Sequence, residues 1–257
     1  MPTIDDRDRL FREFQIRKFN RKWAVPTVSM TVDIDISRLQ EIRKTFNEAR
    51  QSENMSLTHV LIKAAGVVLE NFPIMYSAFD GKRVVHSEKI KINLPVAEGD
   101  HVEYVMIETP QLKTVEQIAR EVGEEMERIR RGEGTFYQYL KGVMKVPLLI
   151  RKLTLGIPAL RIKSLNKHYG NFPITNFGSF GIKNGIPAVS SPVVGVMCIG
   201  TVWNLQVATD DRKSVLASFL PITIAFDHRP IDGAYGGRFL SAFKELLEKN
   251  PESLFQR

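Results

Sequence analysis

The feature that most constrains the fold of this chain is a change of hydrophobic period near its C-terminus. Apolar residues alternate at Leu220, Ile222, Ile224 and Phe226, which predicts a strand with one buried face. After the sequence DHRPIDG at residues 227–233, apolar residues recur at helical spacing. They are Phe239, Leu240, Ala242, Phe243, Leu246 and Leu247. A buried strand therefore passes into a helix through this one turn.

Two side chains of the turn are candidates for chemistry. His228 follows the strand, and an imidazole held at a strand end can exchange protons near neutral pH. Asp232 could fix the turn or cap the helix, and Gly233 permits close approach of the chain. A lone histidine in a turn is more often structural or solvated, and Asp-Gly is an ordinary turn signal. The residues alone leave both interpretations open.

Length and composition indicate a globular protein. A chain of 257 residues can bury one substantial core. With 43% hydrophobic and 25% charged residues, disorder is not expected. The sequence has neither an internal repeat nor a long linker, so we predict a single domain over residues 1–257.

The single cysteine, Cys198, excludes an internal disulfide framework and a cysteine-based metal site. It lies in the apolar run VVGVMCIG at residues 193–200, where a buried and inert thiol is expected. We predict that the protein binds no metal.

The net charge is +7 and the pI is near 9.5, which favours polyanions in general. The basic residues are dispersed and follow no nucleic-acid-binding motif, so we predict no nucleic-acid partner. The start, MPTIDDRDRLF, lacks the apolar core of a signal peptide. No stretch reaches the roughly 18 apolar residues of a membrane span. We therefore expect a cytoplasmic protein.

Alternating apolar residues predict strands at residues 27–36, 90–96, 104–107, 188–200 and 215–226. Pro95 indicates an edge or a bulge within the second of them. Capping-box spacing, with Ser or Thr three residues before Gln, predicts helix starts at Ser37 and Thr114. Another helix begins at Ser56 or Thr58.

The helix after Thr114 has a clear apolar stripe. Its members are Val115, Ile118, Val122, Met126 and Ile129. Helices interspersed with half-buried strands predict an α/β fold in which helices cover a sheet mainly on one face.

Several segments, in order along the chain, resemble one known family. They are residues 16–19 with 26–28 (IRKF and PTV), 57–79 (LTHVLIKAAGVVLENFPIMYSAF), 172–181 (FPITNFGSFG) and the DHRPIDG turn. Together they resemble the dihydrolipoyl acyltransferase cores of 2-oxoacid dehydrogenase complexes, which carry a His-x-x-x-Asp-Gly signature. Chloramphenicol acetyltransferase shares that signature on the same fold. The similarity extends roughly from Phe14 to Glu248.

The resemblance implies a two-layer sandwich with a mixed sheet, as in chloramphenicol acetyltransferase, and a homotrimer with active sites between subunits. In such a site His228 is the general base and faces Thr175 of a neighbour. Thr175 stands where the family usually has serine, and its hydroxyl would donate a hydrogen bond to the oxyanion. Asp232 would organise the site.

The resemblance further implies that coenzyme A or acyl-CoA is a substrate. Candidate contacts for it are Asn176, Gly178 and Ser179, with the alternative that Asn176 orients the loop and that the glycines serve tight turns. This segment lacks the Lys-Ser/Thr of a phosphate-binding P-loop.

Full-length members of the family carry a lipoyl domain and a small subunit-binding domain before the core. Since the core begins near Phe14, we expect neither domain and no covalently bound lipoyl group in this chain. A separate lipoyl-bearing protein would supply the acceptor, or a different acceptor is used.

Residues 132–171 form a longer connection than the family has, which we interpret as an amphipathic insert. Within it, residues 136–163 combine apolar and basic side chains. This segment could lie on an anionic membrane surface or close over a long acyl chain. The alternative, which we favour, is a pair of amphipathic helices packed on the trimer.

Two functions compete. The first is a coenzyme-A-dependent acyltransferase that acts on a dihydrolipoyl-type thiol or on a hydroxyl group. The second is a non-catalytic trimeric scaffold or regulator with the same fold. Since His228, the hydroxyl of Thr175 and Asp232-Gly233 are all present, we favour the enzyme.

Overall fold

The computed structural model describes residues 25–49, 55–99, 101–147, 158–208 and 214–256, together with Leu10 and Ile150. Phe14 and residues 16–19, which carry part of the family resemblance, lie outside this part of the chain. The described strands are β1 (Thr27–Asp35), β2 (Ala78–Phe79), β3 (Val84–Val85), β4 (Lys91–Glu98), β5 (His101–Glu108), β6 (Phe172–Asn176), β7 (Gly195–Ile199), β8 (Trp203–Ala208) and β9 (Ser214–Asp227).

The described α-helices are α1 (Ser37–Glu48), α2 (Leu57–Leu69), α3 (Val115–Arg130), α4 (Thr135–Lys145), α5 (Pro158–His168) and α6 (Gly233–Lys249). Short 3₁₀ helices follow at Pro110–Leu112, Gly178–Phe180 and Pro251–Phe255. None of the described helices is long and apolar enough to cross a membrane.

Seven of the described strands form one mixed sheet in the order β1-β9-β7-β6-β4-β5, with β8 also paired to β9. β4 with β6 and β6 with β7 run parallel, and the other pairs of this sheet are antiparallel. β9 is its longest strand, with 14 residues. It pairs with β1 over one part of its length and with β7 and then β8 along its other edge.

One face of the sheet carries the main core. Its strands supply side chains such as Ile34, Ile92, Ile174 and Ile224, which pack against α1, α2, α3 and α6. Because side chains alternate along a strand, all inward-facing residues of β9 reach this one layer. The α/β prediction with helices mainly on one face is therefore confirmed.

The opposite face is covered at the β5 end. There, a smaller buried cluster, which we call the insert cluster, contains Tyr104, Phe136, Leu140 and Tyr169. Tyr104 comes from β5, whereas Phe136 and Leu140 come from α4. The Tyr139 hydroxyl and Ser164 Oγ are 2.7 Å apart and join α4 to α5. The described part of the predicted insert is therefore a helix pair packed on its own sheet.

All three helices begin where the sequence signals place them, but the predicted cap is absent from one of them. Thr114 caps α3 in a capping box with Gln117, as predicted. Ser56 rather than Thr58 caps α2, and its capping-box partner is His59. α1 begins at Ser37 as predicted, but the capping box there is wrong, because Ser37 is the first residue of the helix and its side chain caps nothing. Its hydroxyl instead donates to Asp35 and accepts from the backbone N–H of Ser218.

The strand predictions need further corrections. Residues 188–194 lie before the strand that was predicted to include them, because β7 begins only at Gly195. Four strands were not predicted: β2, β3, β6 and β8. No residue of β8 is fully buried. The interpretation of Pro95 is wrong, because β4 lies between β5 and β6 in the sheet and its register with β5 runs through Pro95 without a bulge. Pro95 is tolerated there because β4 pairs with β6 through Ile92 and Asn93 only, among the described residues.

We predict that His59 makes the stability of the protein pH-dependent. Its Nδ1 accepts a hydrogen bond from the Ser56 N–H at 3.3 Å, and burial lowers the pKa of its ring. A lowered folded-state pKa means that the unfolded chain takes up the proton first as pH falls. The stabilisation is therefore complete above the unfolded pKa of about 6.5 and is lost below it.

The variant His59→Gln retains a side-chain acceptor at this capping position but cannot titrate. Thermal unfolding measured between pH 7.5 and 5 should show a smaller decrease in Tm for this variant than for the wild type. Some decrease should persist, because burial also lowers the pKa of His168. Equal pH dependence of the two proteins would contradict the prediction.

Candidate active site

His228 begins the turn after β9, and the structure fixes both its backbone and its ring. The His228 N–H donates to the carbonyl oxygen of Pro26 at 2.8 Å. The ring Nδ1 lies 2.8 Å from the carbonyl oxygen of Ile231. Since a carbonyl oxygen can only accept, Nδ1 carries the proton and Nε2 has a free lone pair. The ring is exposed in this single chain, so Nε2 can meet a substrate.

A buried carboxylate braces this turn. Asp227 is 1% exposed and accepts from the Arg229 guanidinium through two parallel bonds, Nε to Oδ1 at 2.9 Å and Nη2 to Oδ2 at 2.6 Å. These bonds hold the pKa of Arg229 above its usual value. The guanidinium also lies 5.0 Å from the centroid of the Phe79 ring. The residues on either side of His228 are thus locked together, which limits the turn to one conformation.

Asp232 caps α6. Its Oδ1 accepts from the N–H of Tyr235 at 2.8 Å, and its backbone is extended, as is usual for an N-cap. The carboxylate therefore fixes the helix that follows the turn. This geometry agrees with the organising role expected from the sequence, and Asp232 stands four residues beyond His228.

Thr175 lies at the other end of the sheet from His228. It pairs with Cys198 of β7, and Cys198 pairs with Thr223 of β9. His228 is five residues beyond Thr223, or about 17 Å along the strand, and two strand spacings separate β6 from β9, which together give a Cα separation of about 19 Å. The two predicted catalytic residues therefore do not meet within one chain.

The three predicted coenzyme A contacts form a turn after β6. The Asn176 carboxamide donates to Thr58 Oγ1 at 3.0 Å and accepts from the N–H of Ser179 at 3.1 Å. The Ser179 hydroxyl donates to the carbonyl oxygen of Asn176. A Cβ at Gly178 would come within 2.3 Å of the Gly200 carbonyl oxygen, so only glycine allows this close approach. The turn is well fixed, and contact with coenzyme A stays a prediction.

The cysteine and metal predictions can also be placed in the structure. Cys198 is 1% exposed, and burial raises the pKa of its thiol to about 11. A thiol that stays protonated at neutral pH is a poor nucleophile, so the prediction of a buried, inert cysteine is confirmed. Among the described residues, no group of three or more His, Cys, Asp or Glu side chains could hold a metal ion.

Sequence reasoning missed the groups that hold the histidine. The available signal was an Asp and an Arg on either side of His228, a spacing at which a carboxylate and a guanidinium can pair across a turn. The Ile231 carbonyl could not have been found in this way, because every residue has a carbonyl group. Its role depends on the path of the backbone.

Comparison with known proteins places the chain in a family. The family model described as "2-oxoacid dehydrogenases acyltransferase (catalytic domain)" matches residues 9–147 and 149–256. A relative in Zymomonas mobilis, the dihydrolipoyllysine-residue acetyltransferase component of the pyruvate dehydrogenase complex, is 27% identical over 89% of this chain and 46% of its own length. The chain thus spans about half the length of curated relatives that it matches.

Solved structures agree with the fold. The cubic core of the pyruvate dehydrogenase multienzyme complex matches with a TM-score of 0.75 and 21% identity, over 96% of this chain and 91% of that one. A chloramphenicol acetyltransferase matches with a TM-score of 0.50 and 14% identity, over 95% and 96% of the two chains. The resemblance to both groups expected from the sequence is confirmed at the level of fold.

We predict that Asp232 stabilises the turn through its capping hydrogen bond rather than through its negative charge. Replacement Asp232→Ala removes the cap and should lower the free energy of unfolding by about 1 kcal/mol, whereas Asp232→Asn retains a capping oxygen and should cost only a few tenths. Chemical denaturation of both variants would measure this difference. A loss as large in Asp232→Asn as in Asp232→Ala would mean that the negative charge, not the hydrogen bond, stabilises the turn.

Proposed function

The chain belongs to the family of 2-oxoacid dehydrogenase acyltransferase catalytic domains, and on that premise we propose that it is an acyltransferase. It moves an acyl group between coenzyme A and a thiol or hydroxyl acceptor. The observation that carries the proposal is the hydrogen bond from His228 Nδ1 to the Ile231 carbonyl, since it leaves Nε2 free to act as a base. An exposed histidine with a fixed tautomer is what general base catalysis requires.

In the proposed reaction the acceptor thiol gives its proton to His228 Nε2. The resulting thiolate attacks the carbonyl carbon of the acyl-CoA thioester and forms a tetrahedral intermediate with a negatively charged oxygen. When the bond from this carbon to the sulfur of coenzyme A breaks, the protonated imidazole returns its proton to the departing thiolate. No proton is gained or lost overall. The Asp227–Arg229 pair keeps the ring in place during both transfers.

We assign the oxyanion to the Thr175 hydroxyl. Thr175 is part-buried at the end of β6, and a donor in such a place is stronger than one in water because fewer water molecules compete for it. Its methyl group restricts the side-chain rotamer, so the hydroxyl can point in only a few directions. Asn176 and its bonds to Thr58 and Ser179 fix the backbone next to it.

A second copy of the chain must supply Thr175 to His228. The separation of about 19 Å estimated from the sheet register is far beyond the reach of two side chains. A homotrimer in which each subunit lends its Thr175 to the His228 of a neighbour satisfies this constraint with closed symmetry. The fold likeness to the cubic core of a multienzyme complex supports this assembly.

For the acceptor, we propose a dihydrolipoyl group carried by a separate protein. The Zymomonas mobilis relative is named as a dihydrolipoyllysine-residue acetyltransferase, and the shared catalytic domain supports the same acceptor chemistry here. A hydroxyl acceptor is the second possibility, since the same base could activate it. Coenzyme A occupies the other side of the site, near the turn of Asn176, Gly178 and Ser179.

The competing function is a trimeric scaffold without catalysis. A scaffold requires the sheet, the helices and the contacts between subunits, but it does not require a histidine with one ring nitrogen tied to a carbonyl and the other free. The Asp227–Arg229 pair likewise fixes a turn whose only titratable exposed ring is His228. These features favour the enzyme.

We predict that His228→Gln abolishes acyl transfer while assembly and Tm remain close to those of the wild type. Removal of a general base typically lowers turnover by about 10²–10⁴. The assay follows coenzyme A released from a panel of acyl-CoA donors with free dihydrolipoamide, a simple thiol or an alcohol. A well-assembled wild-type protein that turns over none of these donors would favour the scaffold, and full activity in His228→Gln would exclude the histidine as base.

We predict that two inactive variants restore activity when they assemble together. Thr175→Val should lower turnover by about 10²–10³ through loss of the oxyanion donor, whereas Thr175→Ser should keep most of it. In every trimer that contains both Thr175→Val and His228→Gln chains, one site in three pairs an intact histidine with an intact threonine. Purified mixed trimers should therefore recover about a third of wild-type activity.

Differently tagged chains, co-expressed and purified through both tags, allow this measurement. The control is a mixture of the two variants assembled separately, which should stay inactive. If the mixed trimers are as inactive as this control, the two residues do not act across a subunit boundary.

A further inference from the structure

The outer side of the helix pair α4 and α5 carries exposed lysines. On α4, Lys141 and Lys145 are exposed and lie one turn apart, and on α5 Lys163 is exposed as well. The opposite sides of both helices face inwards, since α4 buries Phe136 and Leu140 and Tyr139 of α4 contacts Ser164 of α5. Because both helices pack against the insert cluster, their lysines point away from it.

No carboxylate in the described part of the chain pairs with these lysines. From Gly134 to Thr209 the sequence contains no Asp or Glu, but it contains eight Lys and Arg residues. None of Lys141, Lys145 and Lys163 forms an ion pair with any residue that the structure describes. By contrast, Lys244 and Lys249 on α6 each pair with a glutamate one turn away. The outer side of α4 and α5 is therefore an uncompensated positive surface.

Apolar side chains are exposed beside these lysines. Val146, which follows α4, is 39% exposed, and Leu160 in α5 is 47% exposed. Ile150, between the two helices, is 51% exposed. Water solvates the lysine ammonium groups well, but it does not favour the aliphatic side chains exposed among them. The two together are typical of segments that lie in the interface of a lipid bilayer.

We propose that this surface binds anionic phospholipid membranes. We call it the lysine face and define it by Lys141, Lys145, Lys163, Val146 and Leu160. The lysine stems can lie along the headgroup region with the ammonium groups at the phosphates, while Val146 and Leu160 enter the apolar boundary. The helices need not leave the sheet to do so, because their inner sides stay in the insert cluster. Binding is peripheral and reversible, and it is independent of the proposed acyl transfer.

The surface fits a membrane better than it fits a nucleic acid or an acidic protein. A nucleic acid or an acidic protein could contact the lysines through its negative charges, but neither offers an apolar layer for Val146 and Leu160, as a bilayer does. Lys167, the next lysine along α5, lines a cavity of about 440 Å³ whose charged wall residues include both Glu121 and Glu124 and Arg128 and Arg131. The positive surface thus ends at a cavity of mixed charge.

The test is co-sedimentation of the full chain with large vesicles. One set of vesicles contains only phosphatidylcholine, and the other contains about a third phosphatidylserine. The wild-type protein should bind the anionic vesicles and leave the neutral ones nearly free, and added salt should weaken the binding. No binding to anionic vesicles, or equal binding to both sets, would overturn the proposal.

Point substitutions can locate the binding surface and leave Phe136 and Leu140 in the insert cluster. A deletion of the helix pair would remove both residues. The triple variant K141Q/K145Q/K163Q should bind anionic vesicles about a hundredfold more weakly, since each lysine near such a surface contributes about a fivefold factor. The matched control K44Q/K82Q/K249Q loses the same charge from other exposed positions and should bind within a few-fold of wild type.

A third variant, V146S/L160S, should weaken binding several-fold without any change in charge. If the control triple loses as much affinity as K141Q/K145Q/K163Q, net charge alone drives binding and the lysine face is not a site. The assembly state of each variant, measured in the same samples without lipid, should match that of wild type. If K141Q/K145Q/K163Q changes the assembly state and the wild-type protein binds no vesicles, the lysine face is a contact between protein chains and the proposal is wrong.

Discussion

The pairing of β9 with strands on both of its edges is the constraint on which the rest of the structure depends. Over residues 219–227 it is paired with β1, and along its other edge it is paired with β7 and β8. A shift of one residue would turn Leu220, Ile222, Ile224 and Phe226 away from the helices of the main core and bring Pro221, Thr223 and Ala225 towards them. The register is therefore fixed, and with it the place at which the strand ends and His228 begins.

Beyond the end of β9, short polar contacts fix the orientation of the His228 ring, whose position along the chain is set by the strand. The Asp227–Arg229 pair closes one side of the turn and the Asp232 cap closes the other. Between them the Ile231 carbonyl selects one tautomer of His228. None of these contacts is a large contribution to folding, but together they leave the ring few alternative conformations. Such a rigid setting suits a base that must accept a proton and return it.

The sheet also separates its two faces into different roles. Its main face, under α1, α2, α3 and α6, holds most of the buried apolar residues and determines stability. The other face is covered near β5 by α4 and α5 through a smaller aromatic cluster. A helix pair held in this way keeps its inner residues buried and leaves an outer surface that can change without disturbing the main core. The lysine face lies on that outer surface.

The sequence by itself determined the elements whose signals are local. The alternation through Phe226, the stripe from Val115 to Ile129 and the capping box at Thr114 each depend on residues within a few positions of one another, and the structure confirms the strand, the helix and its cap. The expectation of a single buried face on β9 is wrong, because residues 220–227 are buried on both faces of the sheet. The sequence also supplied the family through the DHRPIDG turn. It did not predict the cap at Ser37 correctly, since a contact with Ser218, 181 positions away, takes the hydroxyl.

Only the tertiary structure decided which candidate groups come together. Thr175 and His228 are separated along the sheet by the parallel pairing of β6 with β7 and the antiparallel pairing of β7 with β9. That geometry cannot be derived from spacing along the chain, because strand order and direction depend on which strands bury their faces together. It directs the proposed chemistry to the boundary between two copies of the chain, where neither residue acts alone.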